Sequence, residues 1–177
     1  MVPDFALRIQ SMIRSLQDVV LPAIPEDSKL ALDQARIIVG NLRIMADQHD
    51  KTFRYEFVEL REYARLVEDL TATADGGDAT RMAIERAKTS LAAVAPALET
   101  PIPNQAELLA FVKSLKSSAD ALVRAAHEDG ALSFRQAAVS LVMHQSRGQI
   151  ARERSWFRAA GFELEPEKLP SLDEMLR

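Results

Sequence analysis

His49 stands between Asp47 and Asp50, and Tyr55, Glu56 and Glu59 follow it closely. An imidazole among carboxylates has two chemical uses, as a metal ligand or as a polar lining for a bound molecule. Helical-bundle di-iron sites take Glu-x-x-His on two helices together with further glutamates. Ala46, Arg124 and Leu141 stand three residues before His49, His127 and His144, so that motif is absent. No metal and no cofactor is expected. What remains is a set formed by His49, Tyr55, Glu56 and Glu59, whose hydrogen-bonding groups would line a cavity for a small molecule or a reaction. The plainer reading is an interior histidine on a hydrogen bond, beside a helix face laced with ion pairs. No residue pattern assigns a reaction, and catalysis is carried as an alternative only.

Arg147, Arg152, Arg154 and Arg158 cluster around Trp156, the single tryptophan of the chain. Guanidinium groups at this density could take an anion or a nucleic-acid backbone. A net charge of −4 gives the protein no global attraction to such a polyanion. The expectation is therefore a solvated charged face with the tryptophan in the core, and nucleic-acid binding is the weaker alternative. No glycine-rich phosphate loop is present, because Gly76-Gly77 lacks the lysine and the preceding strand such a loop needs. Ser133, Ser140 and Ser146 lie near His144 without a nucleophile elbow around any of them.

One run carries a resemblance. Gly130, Ser133-Phe134, Ala137-Ala138, Leu141, Gln145-Ser146 and Ile150 fall within Leu122 to Ile150, about thirty residues. This stretch resembles the helix-turn-helix of LysR-type regulators. In that family a Ser-Phe pair starts one helix, an Ala-Ala pair and a leucine pack it, and a Gln-Ser pair opens the recognition helix. The resemblance implies a turn near Val142-Met143-His144, where this sequence has no turn residue. The chain departs again at Arg147 and Gly148, where packing residues would be needed, and at Ile150, which arrives two residues early.

The elements that position these residues read as helices throughout. The chain has 177 residues, 47% hydrophobic and 27% charged, enough for one domain with a sizeable core. Aromatic residues are only 6%, so the core is aliphatic, which suits helix-on-helix packing better than a β-sandwich. The absence of cysteine removes disulfides, thiolate nucleophiles and zinc-finger sites. Asp4, Arg8 and Arg14 interrupt any signal-peptide core, and no window approaches the roughly 20 apolar residues of a membrane span. A cytoplasmic protein with no membrane partner is the expectation.

Apolar residues recur at three- and four-residue steps from Phe5 to Val20, which predicts a first helix ended by Pro22 and Pro25. A second stripe passes through Ala35, Ile38, Leu42, Met45, His49, Phe53, Phe57, Leu60, Ala64, Val67 and Leu70. A continuous helix from Asp27 to Leu70 would measure roughly 65 Å. Either it bends or breaks near Gly40 or His49-Asp50, or a partner chain covers its overhang; a bend or break is expected.

The loop Ala74 to Asp78 precedes a helix from about Thr80 to Ala95, and Pro101-Ile102-Pro103 forms a connector. Asn104 caps the next helix, which Gly130 stops. Ser133 with Gln136 makes a capping box for a last helix running to about Ala160, with Gly161 at its end. Leu169, Leu172, Met175 and Leu176 would dock a short final turn.

The sequence thus predicts an all-α bundle of about five helices, mostly antiparallel, over residues 1–161, with a C-terminal tail, 162–177, packing on it. Its expected mode of action is association, as a homo-oligomer (a dimer) or with a partner protein. An exposed half-stripe on the long helix would favour such contact. Binding or catalysis at the polar set near His49, and nucleic-acid binding through the arginine-rich helix, are the alternatives.

Overall fold

Spaced apolar residues, capped at polar or glycine positions, make most of the described residues helical. A computed structural model describes residues 4–100, 104–161 and 163–177. The predicted connector Pro101-Ile102-Pro103 and Phe162 lie outside them. The α-helical segments are α1 (Phe5–Ser15), α2 (Leu21–Ala23), α3 (Lys29–Gln48), α4 (Thr52–Thr73), α5 (Asp78–Glu99), α6 (Gln105–Glu128), α7 (Leu132–Trp156) and α8 (Leu172–Met175). A π-helical turn, Leu16–Val20, joins α1 to α2 without a break, so the described residues make seven helices. The all-α class holds; the count of about five does not. The difference comes from the division of the long segment and from the added turn α8.

The division falls at His49-Asp50, and α3 runs straight through Gly40. The Lys51 N–H bonds Gln48 O at 2.9 Å, a tight three-residue closure. The Thr52 hydroxyl also donates to Gln48 O at 3.1 Å, and Lys51 Nζ donates to Asp47 O at 2.6 Å. Side chains therefore take the carbonyls that the helical ladder would have used, and the helix stops.

Pro22 does not end the first helix. The Leu21 N–H bonds Leu16 O, five residues back, and this wide turn lies directly before the proline. A proline ring clashes with the carbonyl of a regular turn and offers no N–H, so the ladder opens ahead of it. Pro96 likewise lies inside α5, which runs on to Glu99. The Ser133–Gln136 capping box is not formed, since α7 already begins at Leu132. Asn104 does cap α6, its Oδ1 accepting from Ala106 N at 2.9 Å.

The chain divides into two compact units, Met1–Thr52 with Ala151–Met175, and Phe53–Ile150 with Leu176–Arg177. In the first, α1 and α3 pack as an antiparallel pair around buried Ile9, Ile13 and Val39, flanked by Leu16, Leu21, Leu42 and Ala46. Gln48 Nε2 donates to Trp156 O at 2.9 Å. Past α7 a 3-10 turn, Arg158–Ala160, ends at Gly161, whose φ of 78° is the left-handed conformation glycine adopts freely. The tail then returns: Ser155 Oγ donates to Pro170 O at 3.1 Å. Ser171 and Glu174 form a capping box at the start of α8, through Glu174 N to Ser171 Oγ at 3.3 Å and Ser171 N to Glu174 Oε2 at 3.0 Å.

In the second unit one core joins four helices: Leu60, Val67 and Leu70 of α4, Ala87 and Val94 of α5, Leu108, Leu115 and Leu122 of α6, and Phe134 of α7. Two loops meet at one end of it. Gly76 and Gly130 form an antiparallel bridge, with Ala131 N bonding Asp75 O at 2.8 Å. A Cβ on Gly76 would stand 2.9 Å from Asp129 O, and one on Gly130 would stand 2.6 Å from Ala126 O. Only glycine permits this approach. Asp129, the C-cap of α6, uses it to cap α5: its carboxylate accepts from Ala79 N at 2.7 Å, Thr80 N at 3.0 Å and Thr80 Oγ1 at 2.6 Å.

Candidate functional site

Glu56, Glu59 and Tyr63 lie at three- and four-residue steps of α4, so they share a face, and the second unit turns that face inward. Both carboxylates are buried. Glu56 Oε1 accepts from Gln105 Nε2 at 2.9 Å, while its Oε2 has no hydrogen-bond partner among the described residues. Glu59 pairs with Lys116 at 2.7 Å, and the same ammonium stands 5.1 Å from the centre of the Tyr63 ring. The Tyr63 hydroxyl donates to Gln149 Oε1 at 3.1 Å, and Gln145 Nε2 donates to the same oxygen at 3.3 Å. This is a polar seam that runs from buried Glu56 and Glu59 out to half-buried or exposed partners at the edge of the aliphatic core.

Of the residues expected to line a cavity, Glu56 and Glu59 are in this seam and Tyr55 is half-buried beside it in sequence. His49 is placed in the first unit, exposed at the C-cap of α3 rather than interior. Its ring lies 5.4 Å from that of Phe5, and its Nδ1 is 2.9 Å from Ala46 O. Phe5, Met45, Gln48, His49 and Thr52 line an open groove of about 510 Å3 there. Lys116, Gln105 and Gln149, which complete the seam, carried no signal in the sequence, because each sits on a different helix from the glutamates.

One of the four arginines is interior. Arg152 is only 1% exposed. Arg154 holds Glu163 with two parallel bonds, 2.9 and 2.6 Å. That bond pulls the Glu163 carboxyl below its ordinary range and raises the guanidinium. Arg147 and Arg158 are exposed. The turn implied by the resemblance to a helix-turn-helix is not formed either, since α7 is helical through Val142-Met143-His144. Among the described residues no three His, Asp or Glu side chains gather as a metal site, and no helix is long and apolar enough to cross a membrane.

Large apolar side chains also stand exposed on the helical pair of the first unit. On α1, Phe5 and Met12 are 51% and 46% exposed, and Val19 of the π-helical turn is 66% exposed; on α3, Ile38 and Met45 are 48% and 47% exposed. The buried side of α3 runs through Ala35 and Leu42 of the predicted stripe together with Val39 and Ala46, Leu42 and Ala46 being half-buried. Of the stripe seen in the sequence, Ile38, Met45, His49 and Phe53 are therefore outside. In comparison with known proteins the chain matches no family model, no curated protein and no solved structure.

Proposed function

We propose that this protein works by association, with the helical pair α1–α3 as its contact element. The observation that carries the reading is the imbalance within that pair. Three residues, Ile9, Ile13 and Val39, form its buried cluster, while Phe5, Leu7, Met12, Leu30, Ile37, Ile38 and Met45 stand exposed on the same two helices. Each large apolar side chain withdrawn from water contributes roughly 1.5–3 kcal/mol. A pair with so small a core and so much apolar surface gains more by contact than by standing alone.

Glu59, Arg154 and Asp129 all have their charges answered inside the chain. The association reading needs none of them at a reactive surface. Sedimentation velocity over a hundredfold range of concentration tests it, with a rise in mass expected as concentration increases. A mass fixed at that of one chain across the whole range overturns it.

A further inference from the structure

Aspartate precedes glycine twice in the chain, at Asp75-Gly76 and Asp129-Gly130, and these pairs sit in the two loops that meet at one end of the second unit. An Asp-Gly pair carries its own chemistry. The glycine nitrogen can attack the neighbouring carboxyl carbon, because no side chain on the glycine obstructs it. A C–N bond forms and closes a succinimide ring, the carboxyl C–O bond breaks, and the glycine proton leaves with the hydroxyl as water. Water then reopens the ring at either carbonyl. Opening on the main-chain side routes the chain through the former side chain, which is isoaspartate, and turns the old main-chain carbonyl into a free carboxylate. Nothing is oxidised or reduced, and water is the only co-reactant.

The fold treats the two pairs in opposite ways. Gly130 is buried, and its N–H donates to Ala125 O at 3.1 Å. The Asp129 carboxylate accepts from Ala79 N, Thr80 N and Thr80 Oγ1, and these donors favour its ionised form. Ring closure at Asp129 needs a neutral carboxyl and a freed amide, so it must give up all of these bonds. Asp75 is exposed, and its carboxylate accepts no hydrogen bond among the described residues. The Gly76 N–H donates none among them either. The bond from Ala131 N to Asp75 O, 2.8 Å long, holds the intervening carbonyl and leaves both reacting groups open.

We propose that Asp75-Gly76 is a site of spontaneous isoaspartate formation in the folded protein, that Asp129-Gly130 is shielded from it, and that the product parts the two loops. The parting follows from the space at Gly76. Ala131 N to Asp75 O and Gly77 N to Asp129 O are the two bonds of the bridge, and they span Asp75 to Gly77. Isoaspartate lengthens that span by one backbone atom and takes the Asp75 carbonyl out of it. A Cβ on Gly76 would already stand 2.9 Å from Asp129 O and from Gly130 Cα, so the added atom has no room while the bridge is closed. This stands apart from association, since these loops and the α1–α3 pair belong to different units.

The test ages the full chain for weeks at mildly acid pH, native and in urea, and maps its peptides by mass spectrometry. Succinimide is read as the loss of one water, and isoaspartate as resistance to a protease that cuts at aspartate. In the native chain Asp75 is expected to react at least about tenfold faster than Asp129, the factor that losing one charge-assisted hydrogen bond adds to a barrier. In urea the two are expected to react alike. Aged protein is expected to melt at a lower Tm than fresh protein. Asp75→Glu keeps the charge but needs a larger ring, so it is expected to show neither the product nor the fall in Tm. Asp129 reacting as fast as Asp75 in the native chain overturns the shielding. Asp75 inert in the native chain while it reacts in urea overturns the site. Asp75 converted with no fall in Tm overturns the parting of the loops.

Discussion

The carboxylate of Asp129 accepts hydrogen bonds from both the N–H and the hydroxyl of Thr80, at 3.0 and 2.6 Å, so that the residue ending α6 closes the start of α5. The first N–H groups of a helix have no partner within it, and the N-cap of α5, Gly77, has no side chain to supply one. Asp129 supplies it from 49 residues away.

This arrangement has a pH dependence of definite sign. The Thr80 hydroxyl, followed by the N–H groups of Ala79, Thr80 and Gly77, favours the ionised form and holds the Asp129 carboxyl below its ordinary value. A group lowered on folding stabilises the protein above its unfolded pKa, about 3.9, and that contribution is lost as pH falls through the folded value. Thermal melts from neutral pH down to about pH 3 are expected to show a lower Tm for Asp129→Asn at neutral pH and a shallower acid limb than wild type. Equal Tm values at neutral pH would remove the capping role.

Glycines separate into two kinds. A Cβ at Gly76 would meet Asp129 O and Gly130 Cα at 2.9 Å, whereas Gly40 and Gly148 have nothing within 4 Å and lie inside α3 and α7. Gly76→Ala is expected to lower stability by about 1–3 kcal/mol in urea unfolding, as backbone must shift to admit the methyl. Gly40→Ala and Gly148→Ala are each expected to raise it by about 0.8–1 kcal/mol. The opposite order would show that the crossing of the two loops tolerates a side chain.

Glu59 and Lys116 are unequal partners, the glutamate side chain 11% exposed and the lysine 41%. Removing the lysine strands a buried carboxylate; removing the carboxylate leaves an ammonium that water already reaches. Lys116→Met is therefore expected to cost about 1–2 kcal/mol, discounted for the exposure of the lysine, and Glu59→Leu distinctly less. Chemical denaturation of both variants and of the double variant checks the asymmetry.

Duplex DNA offers a direct check on the arginine-rich helix. Arg152 is buried and Arg154, itself exposed, is held by Glu163, leaving Arg147 and Arg158 as the other exposed members of the four. Against a net charge of −4, no mobility shift is expected even at low salt, where phosphate contacts are strongest. A retarded band that fades as salt rises would reverse this.

The helices were legible because burial is periodic: the stripes from Phe5, Leu60 and Leu108 all lie along helices where spacing placed them. Boundaries set by side chains bonding to backbone were less so. The break at His49-Asp50 was one of two expected, but nothing local distinguishes Thr52 and Lys51, whose side chains end α3 there, from residues that continue a helix, and the widened turn before Pro22 is a response of the chain rather than a pattern in it. The polar seam was half visible. Glu56 and Glu59 stood out by type, but Lys116, Gln105 and Gln149 come from other helices. Asp129 beside Gly130 had the form of an ordinary helix end, and its bond to Thr80 exists only once the chain has folded. The sequence placed Ile38 and Met45 on one stripe with Ala35, Leu60 and Leu70, and of these Ala35, Leu60 and Leu70 are inside while Ile38 and Met45 are outside.

Gly76 and Gly130 give the second unit one more property. Because their two loops are bonded to each other, neither turn can swing away while its neighbour stays. A protease that cuts between Asp75 and Asp78 would leave the severed ends still gripped by the opposite loop, with Asp129 seated on α5. The nicked chain should travel as one particle under native conditions and separate into two pieces only on denaturation. That end of the four helices is latched; strength there depends on a meeting of loops rather than on an unbroken backbone.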